Sequence, residues 1–177
     1  RASRASTRGM IRQHEGETAV TLATHWLERQ PEGWVIFRQP GGTTQGLLLQ
    51  VALEKCTAED AARDPAVAAA LTFLAHHAPL RPGDAATLFR FWMAAESYQG
   101  LSPVQSRIFL NMVQHYLTRT NLAFTFIPCA EPDFWVAVFG FAEQARLPQA
   151  DFVVNGRSFG MYGHDWRVVP PLVWLAR

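Results

Sequence analysis

Four stretches of the chain repeat apolar residues with the spacing of an amphipathic helix. They cover residues 18–30, 66–77, 103–120 and 132–146. Two of these helices have clear start signals, since Asp64 and Ser102 are capping residues and each is followed by a proline at the first helical position. The pattern therefore predicts at least four helices, which lie between shorter apolar runs.

Six of those shorter runs predict β-strands, at residues 34–38, 46–53, 86–94, 122–127, 152–154 and 158–162. The runs at 86–94 and 122–127 are almost continuously apolar, which is typical of strands buried on both faces. Asn155–Gly156 predicts a tight turn between the last two strands, because both residues tolerate the positive φ of a type I′ hairpin. The segment 86–127 predicts a right-handed strand–helix–strand crossover with parallel strands. The fold class is therefore α/β (α+β), with a mixed sheet covered by helices.

Composition narrows the classes of partner. Charged residues make up 18% of the chain and the net charge is +1, which gives no reason to expect nucleic acid or an anionic membrane as a partner. A charged fraction below the usual ~25% suggests a surface that is covered by a second copy, another protein or neighbouring domains. No apolar run reaches the ~20 residues of a membrane span. Without a leader-like start, we expect a cytoplasmic protein.

Metal chemistry is not predicted. The two cysteines, Cys56 and Cys129, lack a Cys-x-x-Cys spacing, and the histidines share no ligand spacing. Residues 1–14 are small, polar and basic, and we expect them to form a flexible segment before one domain at 15–177. The chain begins at Arg1, which we interpret as part of a longer polypeptide or a processed chain.

The order of elements between Thr18 and Trp174 resembles the GNAT N-acetyltransferase superfamily, including the central crossover and the C-terminal β-hairpin. The family's first strand and first helix have no clear counterpart, unless residues 10–13 are a remnant of them. The resemblance implies that an acyl-CoA lies between two splayed parallel strands. Its pyrophosphate would bind at the loop that opens the crossover helix, where free N–H groups favour phosphate.

The loop at 96–104 stands where that family has the motif Gln/Arg-x-x-Gly-x-Gly/Ala. Gln99 fits its first position, whereas Ser102 and Val104 replace the small residues and Pro103 lacks an N–H donor. The other interpretation of Ser102 is that it only caps its helix. With acetyl-CoA or another acyl-CoA as co-substrate and no metal, the resemblance implies a binding site formed by Met93, Ala94, Ala95, Gln99, Gly100, Ser102, Val104 and Arg107.

The usual catalytic groups of the family have no match. The strand at 86–94 carries Arg90 as its only ionisable residue, and the helix at 132–146 has no tyrosine. The remaining candidates for base and acid are His164, Glu96 and Tyr98. Each also has a structural interpretation, as a turn or hairpin residue or a solvated loop residue.

Two functions are consistent with this pattern. The first is an acyl-CoA-dependent N-acyltransferase that acts on an amine of a small molecule or protein. The second is a GNAT-like sensing or interaction domain of a larger protein, without catalysis. The aromatic residues of strands 86–94 and 122–127 distinguish the two, because they either line the slot for the acyl-CoA or fill it.

Overall fold

The computed structural model describes the backbone of residues 2–177 and the side chains from residue 4 onward. This part of the chain contains seven α-helices and seven β-strands, together with short 3₁₀ turns. In chain order the elements are α1 (Ala2–Glu15), α2 (Glu17–Arg29), β1 (Trp34–Arg38), β2 (Thr44–Ala52), α3 (Ala58–Arg63), α4 (Pro65–His77), β3 (Ala85–Ala94), α5 (Pro103–Thr118), β4 (Leu122–Cys129), α6 (Val136–Phe141), β5 (Ala145–Arg146), β6 (Phe152–Val154), β7 (Arg157–Asp165) and α7 (Pro171–Leu175).

The strands form one mixed sheet in the order β1-β2-β3-β4-β7-β5, and β6 also pairs with β7. The β3/β4 pair is parallel and the other pairs are antiparallel. Helices α1, α2 and α4 pack on one face of the sheet, and α5, α6 and α7 pack on the other. The predicted α/β class with a mixed sheet is confirmed. None of the described helices is long and apolar enough to cross a membrane.

The predicted helix starts form as expected. The Asp64 carboxylate accepts a hydrogen bond from the Ala66 N–H at 3.1 Å, and the Ser102 hydroxyl accepts one from the Gln105 N–H at 3.0 Å. Each side chain satisfies an amide that the first turn of a helix leaves unpaired. These two caps fix where the helices flanking β3 begin.

The N-terminal segment differs from the prediction. Residues 2–15 form helix α1 instead of a flexible segment, and Arg1 lies outside the described residues. Met10 and Ile11 are buried in the core against α2. Two adjacent apolar residues give no helical periodicity, so the pattern could not show that tertiary packing stabilises this helix.

The helix predicted at 132–146 is also shorter than expected. A 3₁₀ turn covers Pro132–Trp135, α6 spans only Val136–Phe141, and Ala145–Arg146 is a short strand on β7. Helix α6 ends because Glu143 adopts a positive φ of 54° and the Gln144 N–H bonds to the Phe139 carbonyl at 2.8 Å. The chain then turns into the sheet.

Candidate ligand site between strands β3 and β4

The central feature of the sheet is a gap between its two parallel strands. β3 and β4 pair only between residues 85–88 and 122–126, although β3 continues to Ala94 and β4 to Cys129. Beyond the paired part the strands separate. Backbone groups that face such a gap lack a strand partner, so they could bind an extended ligand that contains amides.

A β-bulge contributes to this separation. The register between β2 and β3 shifts so that Arg90 is an extra residue of β3, and bulges bend the strand that carries them. The Arg90 Nε donates to the Asp64 carboxylate at 2.8 and 3.0 Å, with both side chains buried, and the Trp26 indole N–H donates to the same carboxylate at 2.8 Å. The only ionisable residue of the predicted strand therefore anchors the bulge to α4.

Trp92 occupies the gap from the β3 side. Its side chain is 0% exposed, and its indole N–H donates to the Pro128 carbonyl at 2.7 Å. The Trp166 N–H donates to the Ala123 carbonyl, so the odd-numbered residues of β4 bond toward β7. Bonding direction alternates along a strand, and the carbonyl of Pro128 therefore faces β3. The indole is packed edge to face against Trp135, which closes the space behind it.

Gln99 occupies the gap from the β4 side. Its amide nitrogen lies 3.4 Å from the Pro128 carbonyl, and its amide oxygen accepts from the Ala130 N–H at 2.9 Å. The side-chain amide thus takes the place of a peptide group of a neighbouring strand. The sequence predicted Gln99 as a pyrophosphate ligand, but the structure buries it to 7% exposure and both ends of its amide have protein partners.

The backbone that should align a thioester is also engaged. The Ala94 N–H donates to the Tyr98 carbonyl at 2.8 Å, and the Ala94 carbonyl accepts from the Tyr98 N–H at 3.0 Å. The Ala95 N–H donates to the Gln45 carbonyl at 2.8 Å, and Met93 pairs with Leu47 in the β2 ladder. The predicted cofactor residues of β3 are therefore bonded within the protein.

The start of α5 lines a cavity of about 580 Å³, together with Ala95, Glu96, Ser97 and the β1–β2 hairpin. Ser102 already accepts the Gln105 N–H and Pro103 has no N–H, so this helix start has fewer free donors for a phosphate. The exposed Arg107 guanidinium lies 3.3 Å from the Gln45 side-chain oxygen. Glu96 brings a carboxylate to the same cavity, which opposes the binding of a polyanion.

Two further predicted binding residues lie around this helix start. Val104 packs against Gly46 of β2, where an added Cβ would lie 2.6 Å from the valine methyl carbon. The Gly100 N–H donates to the Ser97 carbonyl at 2.8 Å within the loop. Val104 therefore fixes the helix start against β2 and Gly100 shapes the loop, and neither presents a charged or hydrogen-bonding side chain.

Tyr98 contacts helix α1. Its hydroxyl donates to the Glu15 carboxylate at 2.6 Å, and its ring stacks on His14 with centroids 5.1 Å apart. The Arg157 guanidinium lies 5.1 Å from the Tyr98 ring centroid on the hairpin side. Burial raises the pKa of both Tyr98 and Glu15, with the negative charge of Glu15 adding to the effect on Tyr98. Sequence reasoning missed Glu15, because it lies 83 residues away at the end of a helix that the pattern did not predict.

His164 lies away from this loop. Its two ring nitrogens are 2.8 Å from the Glu143 carbonyl and 3.0 Å from the Val169 carbonyl. It lines a separate groove of about 370 Å³ between β7 and α4, whereas Glu96 and Tyr98 line cavities at the end of β3. The structure does not bring the three predicted acid–base residues together. Burial raises the pKa of the Cys129 thiol, which is unfavourable for a nucleophile.

No protein-family model and no curated protein matches the chain. The fold and the site therefore define the class of protein. It is an α/β domain whose central parallel strands separate, and its own side chains close the gap between them. No group of three His, Cys, Asp or Glu side chains suited to a metal is found within the described part of the chain.

Proposed function

We propose that the chain is a GNAT-like domain that does not transfer acyl groups and serves as an interaction or sensing domain. The GNAT-like topology is supported by the single parallel strand pair that splays, the crossover helix that starts beside the splay and the C-terminal hairpin. The observation that carries the functional proposal is the hydrogen bond from the Trp92 indole to the Pro128 carbonyl across the gap.

An acyl-CoA would have to displace the Trp92 indole from the Pro128 carbonyl before it could enter the gap between β3 and β4. A buried tryptophan removes 150–250 Å² from water, which at ~25 cal/mol per Å² corresponds to about 4–6 kcal/mol. Micromolar binding corresponds to about −8 kcal/mol. The cost of moving Trp92 alone would therefore reduce a micromolar ligand to a millimolar or weaker one.

The cavity at the start of α5 favours the second candidate, an acyl-CoA-dependent N-acyltransferase. It is large enough for part of a nucleotide, and Arg107 supplies a cation. For this candidate the thioester would have to reach the gap near Tyr98 and Glu96. We rank it second, because Trp92, Gln99 and Ala94 already use the groups that would align the thioester.

Calorimetric titration with acetyl-CoA, repeated with free CoA, tests the proposal. We expect no saturable heat and no thermal stabilisation at millimolar ligand. Saturable binding at micromolar Kd that is lost in Arg107→Ala would overturn the proposal and favour the acyltransferase. Ser106→Ala is a matched control, because Ser106 is exposed on the same helix turn and does not line the cavity.

A further inference from the structure

We infer that β1 is the interface of a symmetric dimer, in which the β1 strands of two copies of this chain pair antiparallel around Ile36. The inference goes beyond the proposed function, since it concerns the edge of the sheet and not the gap between β3 and β4. Among the described residues, β1 pairs with β2 alone and forms the end of the sheet.

The register shows which backbone groups of β1 face outward. The bond from the Ala95 N–H to the Gln45 carbonyl means that odd-numbered residues of β2 bond to β3, so Gly46 and Leu48 bond to β1. Their partners in β1 are Phe37 and Val35. The N–H and C=O groups of Trp34, Ile36 and Arg38 therefore point away from the sheet.

The outward N–H and C=O groups of β1 form a short row that can pair almost completely with the same row of a second copy. The Trp34 N–H already donates to the Pro31 carbonyl, so Trp34 offers only its C=O group. Two copies that pair around Ile36 would exchange two hydrogen bonds between their Ile36 residues. The Arg38 N–H of each copy would then donate to the Trp34 carbonyl of the other, which gives four bonds in all.

The side chains of the edge fit the same register. Trp34, Ile36 and Arg38 lie on one face of β1, and antiparallel pairing around Ile36 places Arg38 directly opposite the indole of Trp34 from the second copy. A guanidinium over an indole is the most favourable cation–π pair. This match between cation and indole favours a second copy of the chain over an unrelated extended peptide.

The apolar part of the edge has little protection against pairing. Natural edge strands are protected by shortness, bulges, charged side chains or proline. In β1 the charge of Arg38 and the register shift against β2 lie at the C-terminal end, whereas Trp34–Phe37 is uniformly apolar and of high β-propensity. Val35 and Ile36 are only half-buried. At the opposite end of the sheet β5 has two residues, so it offers no comparable edge.

Cross-linking tests the register directly. In a Cys56→Ser background, Ile36→Cys should form a disulfide-linked dimer under mild oxidation, because paired residues at the two-fold axis have Cα atoms about 5.5 Å apart. Val35→Cys is the matched control. Two copies of Val35 would be offset by two residues, about 8 Å apart, so this variant should not form the disulfide. Equal cross-linking of both variants, or none for Ile36→Cys, would overturn the proposal.

Sedimentation equilibrium tests the dimer without cross-linking. We expect the unmodified chain to dimerise with rising concentration and Ile36→Pro to raise the dimer Kd at least tenfold. Proline removes an outward N–H and leaves the β1/β2 ladder intact, whereas Ile36→Val should keep the dimer. If Ile36→Pro does not fold, Arg38→Glu replaces it and should raise the Kd severalfold. A chain that is monomeric at all concentrations would refute the dimer and would leave the acyl-CoA titration unaffected.

Discussion

The gap between β3 and β4 and the outer edge of β1 both present backbone groups without a strand partner, but the molecule treats them differently. In the gap, Trp92, Gln99 and Tyr98 satisfy those groups from within. At β1, no described side chain reaches the outward groups of Ile36. A gap closed from within leaves few backbone groups for a ligand, whereas the open edge can still pair with a partner. The first predictions test the closure and the last tests the edge.

The largest effect is expected for Trp92→Ala. Removing a fully buried tryptophan should reduce the free energy of unfolding by about 3–5 kcal/mol, because the indole fills the gap and bonds to Pro128. Denaturant unfolding measures this loss. Trp174→Ala is the control, since that indole is half-buried and should lose less. Equal losses for the two variants would mean that the gap is not a packed part of the core.

The free energy of unfolding is expected to depend on pH through His115, which lies beside the paired part of β3 and β4. His115 lies against Thr87 at 2.8 Å, and burial lowers its pKa to about 4, helped by the charge of Arg119. In the unfolded chain the imidazole of His115 binds a proton near pH 6.5. The contribution of His115 to the free energy of unfolding should therefore be fully present above that pH and decrease as the pH drops toward 4. Between about pH 7 and about pH 5, we expect a loss of about 2 kcal/mol.

Comparison with His115→Gln isolates that contribution. The variant should lose less stability over the same pH range, as measured by urea unfolding at each pH. Glu15 acts in the opposite direction, because burial raises its pKa. The difference between the two proteins is therefore the quantity to follow. An identical pH profile would show that His115 is not held neutral.

A smaller loss is expected for Gln99→Ala, about 1–2 kcal/mol. The variant leaves the Ala130 N–H without its acceptor, while the Pro128 carbonyl keeps Trp92 as a donor. Amide hydrogen exchange at Ala130 should accelerate. Gln45→Ala is the matched control, because Gln45 bonds through an exposed side chain. Unchanged exchange at Ala130 would contradict the role of Gln99 as a substitute for a strand.

Local signals predicted the sheet more successfully than the site. The strands at 86–94 and 122–127 and the caps Asp64 and Ser102 are encoded by neighbouring residues, so periodicity and capping were sufficient. Helix α1 and the contact between Tyr98 and Glu15 depend on packing across 83 residues, which no local pattern reports. Gln99 was identified as important, but its bond to Ala130 can be seen only once β4 is in place.

The smallest effect is expected at the open edge. Under dilute conditions, where the chain is monomeric, Arg38→Glu should change the free energy of unfolding by less than about 0.5 kcal/mol. Arg38 is exposed, and no hydrogen bond or ion pair of its side chain is seen among the described residues. A loss above about 1 kcal/mol would show that the edge is already engaged within one copy. A negligible loss, together with a raised dimer Kd, would assign the Arg38 side chain to the interface alone.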